Sequence, residues 1–127
     1  MSLYHRFLLV DDVAENRLLI SRALFKQYPN AVVCECQDAA TASAYAALDG
    51  VSLAVVHRTH EHDGPTLVAF IRKGNPALPV VLLSGRLPTP LAAEIGADAV
   101  VGWDSWQGIV AVVARQIALK AARSVPA

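Results

Sequence analysis

Five short stretches of the chain are almost purely apolar: residues 7–10, 31–36, 53–56, 79–83 and 99–101. Runs of this length without polar alternation predict strands buried on both faces, as in a parallel sheet. The segments between them carry apolar residues at helical spacing. Leu18, Leu19, Arg22, Ala23, Leu24 and Tyr28 define a first helix from about Val13, which Pro29-Asn30 stops. An alanine-rich helix is expected over residues 41–48, closed by Asp49-Gly50. A third is expected over residues 64–73, with Leu67, Val68, Phe70 and Ile71 apolar and Gly74-Asn75-Pro76 as its terminator. Pro88 and Pro90 leave room for only a short fourth helix before Gly96-Ala97-Asp98. The last helix is expected to start at Asp104 or Ser105, either of which can cap it, and to run to about Ala122.

Strands and helices that alternate in so short a chain predict an α/β fold with a doubly wound five-stranded parallel sheet, (βα)5. One domain is expected over residues 1–123, with residues 124–127 as a tail or the start of a linker. In such sheets, chemistry gathers beyond the carboxyl ends of the strands. That rule selects Asp11-Asp12, His57, Ser84 and Gly102-Trp103.

Composition narrows the function classes. Lys and Arg number 11, as do Asp and Glu, so no overall field draws the chain to nucleic acid or an anionic membrane. No apolar run approaches the roughly 20 residues that a membrane helix needs. Residues 1–6 lack the pattern of a secretory leader, and a cytoplasmic location is the expectation. Cys34 and Cys36, two apart in an extended segment, face the same way and are read as reduced structural thiols. No glycine-rich phosphate cradle is present, which argues against nucleotide binding.

Two adjacent carboxylates at a strand end, Asp11 and Asp12, repel each other and invite a hard divalent cation, unless one caps the following helix. His57 stands level with them. Its imidazolium form is favoured by two nearby carboxylates and opposed by burial, so a pocket closed by His57 on Asp11 or Asp12 is expected. His57, His60 and His62 with the two aspartates also raise a Zn²⁺ or Ni²⁺ reading, against which stands the ordinary solvation of loop histidines.

The segments "FLLVDD", "SLAVVH…DGPTLVAFIR", "PALPVVLLSG" and "GADAVVGW" together resemble, in order and spacing over nearly the whole chain, the receiver domain of two-component response regulators. The resemblance implies a flavodoxin-like fold in which Asp11 and Asp12 are the acidic pair that holds Mg²⁺ and Ser84 is the hydroxyl that contacts a phosphoryl oxygen. Asp63 falls on the Asp of the family's Asp-Gly pair and is expected to cap the third helix. The departures are at the centre of the chemistry. His57 stands at the position of the phosphoaccepting Asp, Trp103 at that of the Lys, Asp104 at that of the following Pro, and Val100 at that of the switch aromatic. The loop after His57 is one residue shorter than the family's before its Gly and lacks the Met-Pro pair.

An imidazole is a poor ligand for Mg²⁺, and an indole has one N–H and no charge, so acyl-phosphate chemistry should fail and Mg²⁺ should be weakly held. The expected function is that of a pseudo-receiver, not an enzyme, which acts in two-component signalling through phosphate-independent protein contacts. The alternatives are a phosphorylatable receiver with an atypical acceptor and a flavodoxin-like domain that binds a metal or small ligand. Expected partners are a histidine kinase, another receiver or a fused output domain. Ile109, Val110, Val112, Val113, Ile117, Ala118 and Leu119 wrap so much of the last helix that a homodimer through it is also expected.

Overall fold

The computed structural model describes residues 5–46, 50–60, 63–86 and 88–124. Strands and helices alternate: β1 (Arg6–Asp11), α1 (Ala14–Gln27), β2 (Val32–Cys36), α2 (Ala39–Ala46), β3 (Leu53–His57), α3 (Asp63–Gly74), β4 (Val80–Ser84), α4 (Ala92–Ile95) and β5 (Ala99–Gly102). A 3₁₀ helix (Trp103–Gly108) then leads into α5 (Ile109–Ser124). The strands form one parallel sheet in the order β2-β1-β3-β4-β5. This is the doubly wound α/β fold that the apolar runs predict. Strand order turns back at β1, so the loops after β1 and β3 splay apart there and leave space at the carboxyl ends.

Alternate side chains of each strand feed opposite faces, which gives the sheet two cores. Leu8, Val10, Ala54 and Val56 pack under α2 and α3 with Leu67, Val68 and Ile71. Phe7, Leu9, Leu53 and Val55 pack under α1 and α5 with Ile20, Leu24, Ile109 and Val113. Coverage on both faces is why the strands read as unbroken apolar runs.

Three helices differ from the sequence expectation. In α1 the buried face is Ile20, Ser21 and Leu24, while Leu18 is 50% exposed and Leu19 also faces outward. The rotation follows Arg17, whose Nη1 donates to the Asp11 carbonyl at 2.6 Å and whose Nε donates to Glu35 Oε1 at 3.2 Å. Those contacts turn the Ile20 and Leu24 side to the sheet. Helix α2 begins at Ala39, ahead of Thr41, because Asp38 Oδ1 accepts the Thr41 N–H at 2.8 Å and so acts as its cap. Its expected end at residues 47–48, and the closing Asp49, lie outside the described residues.

Neither Asp104 nor Ser105 starts the last helix. The helical run opens at Trp103 as a 3₁₀ segment, Ser105 has non-helical dihedrals of φ −121° and ψ 30°, and regular α-helix begins only at Ile109. Much of the apolar surplus expected on the outside of this helix is absorbed by the core. Ile109 and Val113 are buried, Val110, Val112 and Ile117 pack partly against them, and Leu119 remains outward at 44% exposure. The helix carries on through Ser124, one residue past the expected domain limit. No helix among the described residues is long and apolar enough to cross a membrane.

The single turn of α4 is held by Arg72 of α3. Its guanidinium donates to the Gly96 carbonyl at 2.7 Å and the Pro76 carbonyl at 3.3 Å and pairs with Asp98, whose Oδ2 also accepts the Val80 N–H at 2.7 Å. Gly96, at φ +74°, ends the turn in the left-handed region that glycine enters without steric cost.

Cys34 and Cys36 are free thiols. Burial, then the neighbouring Cys34 and Asp38, push the Cys36 thiol up to about 11 from an ordinary 9.0. Since the fold favours the neutral thiol, its contribution to stability is whole below pH 9.0 and is lost as pH rises toward about 11. Denaturant unfolding across that window should show a stability decline that is reduced in Cys36→Val, and an equal decline in the variant would refute the assignment.

Candidate functional site

Parallel pairing sets Asp11, the last residue of β1, directly against His57, the last residue of β3. Each stands one residue before a loop, so both side chains gather at the carboxyl edge of the sheet. Asp11 has 0% exposure. Its Oδ1 accepts the Val13 N–H at 2.8 Å and thereby fixes the turn into α1, and its Oδ2 accepts from His57 Nδ1 at 2.8 Å. Both carboxylate oxygens of Asp11 are thus engaged. A buried carboxylate requires such partners, because desolvation without them is costly.

His57 is 7% exposed. On its ring lies the indole of Trp103, with centroids 4.3 Å apart and planes 14° from parallel. Trp106 follows one turn on, its ring 6.4 Å from that of Trp103 with the planes 26° from parallel. Trp103 thus reaches from the end of β5 past β4 to the end of β3. The order across the sheet is carboxylate, imidazole, indole, indole.

Asp12 is placed differently. It is exposed, and its Oδ1 accepts the Thr59 N–H at 3.0 Å. Partial desolvation works to raise its pKa, but the Thr59 backbone and hydroxyl hydrogen bonds and the Arg58 charge outweigh it and hold Asp12 below the ordinary carboxylate value. Arg58 itself is tethered by Nη1 to the Gln37 carbonyl at 2.8 Å. The acidic pair is therefore split, with Asp11 inward on His57 and Asp12 outward on the loop after β3. Arg17 and Arg58 are the guanidinium groups at this acidic turn, and Arg86 contributes its backbone N–H to Ser84 Oγ at 3.2 Å.

Ser84 is buried at the end of β4 and pairs in register with Gly102. The contact with the Arg86 N–H makes its hydroxyl a cap for the turn after β4. Val100 is half-buried opposite Leu82 and packs against the α2 and α3 core, an aliphatic filler with no ring to rotate. Asp63 opens α3, its N–H donating to the His60 carbonyl at 2.9 Å.

The donor set does not suit Mg²⁺. That ion demands several oxygens in near-octahedral array, whereas both Asp11 oxygens already accept hydrogen bonds and the Asp12 carboxylate is turned to Thr59. Nor do the histidines gather around a softer metal. His60 is exposed, His62 lies outside the described residues, and among the described residues no cluster of three or more His, Cys, Asp or Glu side chains is poised to hold an ion. A groove of about 230 Å³ lies nearby, but its lining is Arg58, Asp63, Thr66, Leu67 and Phe70, without Asp11, His57, Ser84 or Trp103. Asp11 and His57 are themselves buried, with the Trp103 indole lying on the imidazole.

Arg17, Thr59 and Trp106 belong to this site and are not apparent from motif reading. The three-residue interval between Trp103 and Trp106 is the one local signal, since it puts both indoles on one side of a helical turn.

No protein-family model and no curated protein matches the sequence. Solved structures do match. NtrX from Brucella abortus, determined in complex with ADP, is 24% identical over 95% of this chain with a TM-score of 0.77, and the chain spans 28% of the length of that protein. The signal receiver domain of an HD domain-containing protein from Pseudomonas fluorescens is 19% identical, with 97% of this chain and 93% of that one covered and a TM-score of 0.77. A response regulator receiver protein from Sinorhizobium medicae is 18% identical, with 93% and 98% covered and a TM-score of 0.76. At these identities the likeness is one of fold: the chain has the flavodoxin-like architecture of response regulator receiver domains.

Proposed function

We propose that this chain is a pseudo-receiver, a domain of two-component signalling that works through phosphate-independent protein contacts. The observation that carries the reading is the 2.8 Å bond from His57 Nδ1 to Asp11 Oδ2 beneath the Trp103 ring. A working receiver needs a carboxylate to take the phosphoryl group, a cation to neutralise it and space to hold it. Here the imidazole replaces the acceptor, its ring nitrogen takes the oxygen a cation would use, and the indole covers the opening.

The domain then presents a surface that phosphate does not switch to a partner in the cytoplasm: a histidine kinase, another receiver or an output domain in the same polypeptide. Receiver folds occur in longer proteins, such as the HD domain-containing protein of Pseudomonas fluorescens, which supports the fused arrangement. A homodimer through α5 has a smaller apolar basis than the sequence suggests, centred on Leu119.

Incubation with Mg²⁺ and a small acyl phosphate, followed by intact mass measurement, tests the reading. The expected result is an unchanged mass. A stable gain of one phosphoryl group would overturn it in favour of a receiver with an atypical acceptor.

A further inference from the structure

The six residues Trp103–Gly108 join β5 to α5 and differ from both. Their 3₁₀ geometry has poorer hydrogen bonding than the α-helix that follows, and the non-helical Ser105 divides the run in its middle. Glycines bound the segment. At Gly102 a Cβ would meet only the tip of the exposed Asp104 side chain, Oδ1 at 2.8 Å, which can swing aside. At Gly108 a Cβ would meet nothing within 4 Å, and its φ is not positive. Neither space nor dihedral demands a glycine at that position, so what it contributes is backbone freedom immediately before α5.

What fixes the segment to the sheet is Trp103 on His57, backed by Trp106. We propose that residues 103–108 form a hinged strap, latched by the Trp103–His57 stack and pivoting at Gly102 and Gly108, which couples the Asp11–His57 site to the first turns of α5. Latched, the strap holds both indoles against the core. Released, it exposes two aromatic rings at the head of α5 and frees the first turns of that helix. The device depends on the closed site, but it stands whether or not the chain ever accepts phosphate.

Hydrogen exchange of the full chain, read by mass spectrometry, tests it in two variants. Trp103→Leu removes the latch and leaves the Asp11–His57 bond in place. Exchange over residues 102–110 should accelerate by about tenfold or more while β1, β3 and β4 stay within about twofold of the wild type. Gly108→Ala stiffens the pivot, and exchange over the same residues should slow by at least about threefold with the sheet unchanged. The proposal fails if Trp103→Leu speeds exchange equally across the sheet, which would make Trp103 an ordinary core residue. It fails also if the strap exchanges no faster in Trp103→Leu or no slower in Gly108→Ala. Because the alanine variant keeps every core contact, it decides the matter should the leucine variant not fold. Phosphorylation plays no part in either measurement, so the outcome is separate from the mass test above.

Discussion

Replacement of His57 by leucine should lower the unfolding free energy by about 3–5 kcal/mol, the usual cost of stranding one member of a buried charged or hydrogen-bonded pair. Asp11 has no water to turn to at 0% exposure, and of its remaining contacts the Val13 N–H satisfies one carboxylate oxygen only. Leucine fills the volume but donates nothing. In a domain of this size the loss corresponds to a fall in melting temperature of roughly 10–20 °C. A second substitution separates charge from packing. Asp11→Asn removes the stranded charge while its amide oxygen still accepts from Val13, so the double variant should recover about 1–3 kcal/mol relative to the sum of the two single losses. Denaturant unfolding of the four proteins measures this. Strict additivity would show that the 2.8 Å contact is incidental to stability.

The second large effect is a gain. His57→Asp with Trp103→Lys restores the carboxylate and the cation that the receiver resemblance implies, and it removes the imidazole that engages Asp11 together with the indole that covers it. Two facing carboxylates repel, and one introduced ammonium offsets that only in part, so the double variant should be less stable than the wild type in the absence of metal. Mg²⁺ at a hundredfold excess over its dissociation constant should then stabilise it by about 2.7 kcal/mol, while the wild type shows no comparable response. With a small acyl phosphate added, the variant should acquire one phosphoryl group. His57→Asp alone should show the metal response more weakly, because Trp103 still overlies the site. An equal Mg²⁺ response in variant and wild type would mean that the acidic pocket lies elsewhere.

Burial on both faces is what made the sheet legible. Strands that must be apolar throughout announce themselves, and β1, β3 and β4 lie where the runs of residues 7–10, 53–56 and 79–83 put them, within one residue at either end. Helix faces were harder to read, because Leu18 and Leu19 have the right period and the wrong phase. Their orientation depends on Arg17, whose partners Asp11 and Glu35 sit on two strands and cannot be inferred from α1 alone. The same limit applies at the site. That His57 would meet Asp11 or Asp12 follows from strand ends brought level, but the choice of Asp11 rests on Asp12 being drawn away by Thr59, a backbone contact spanning 47 positions. The flat placement of Trp103 on His57 was likewise hidden, since the expected α-helical start at Asp104 or Ser105 would have directed the indole differently.

The interior place of β1, between β2 and β3, bears on how the chain acquires its shape. Asp11 and His57 are 46 positions apart, and β1 borders β3 as well as β2, so β1 must wait for a strand that ends at residue 57 before its inner edge is satisfied. Parallel neighbours offer no hairpin shortcut, and loop closure over such distances delays the search. The β1, α1 and β2 portion therefore emerges from the ribosome as an incomplete layer. Nonlocal parallel pairing of this kind is the class of contact that slows folding, and the β1–β3 seam is where this chain carries it.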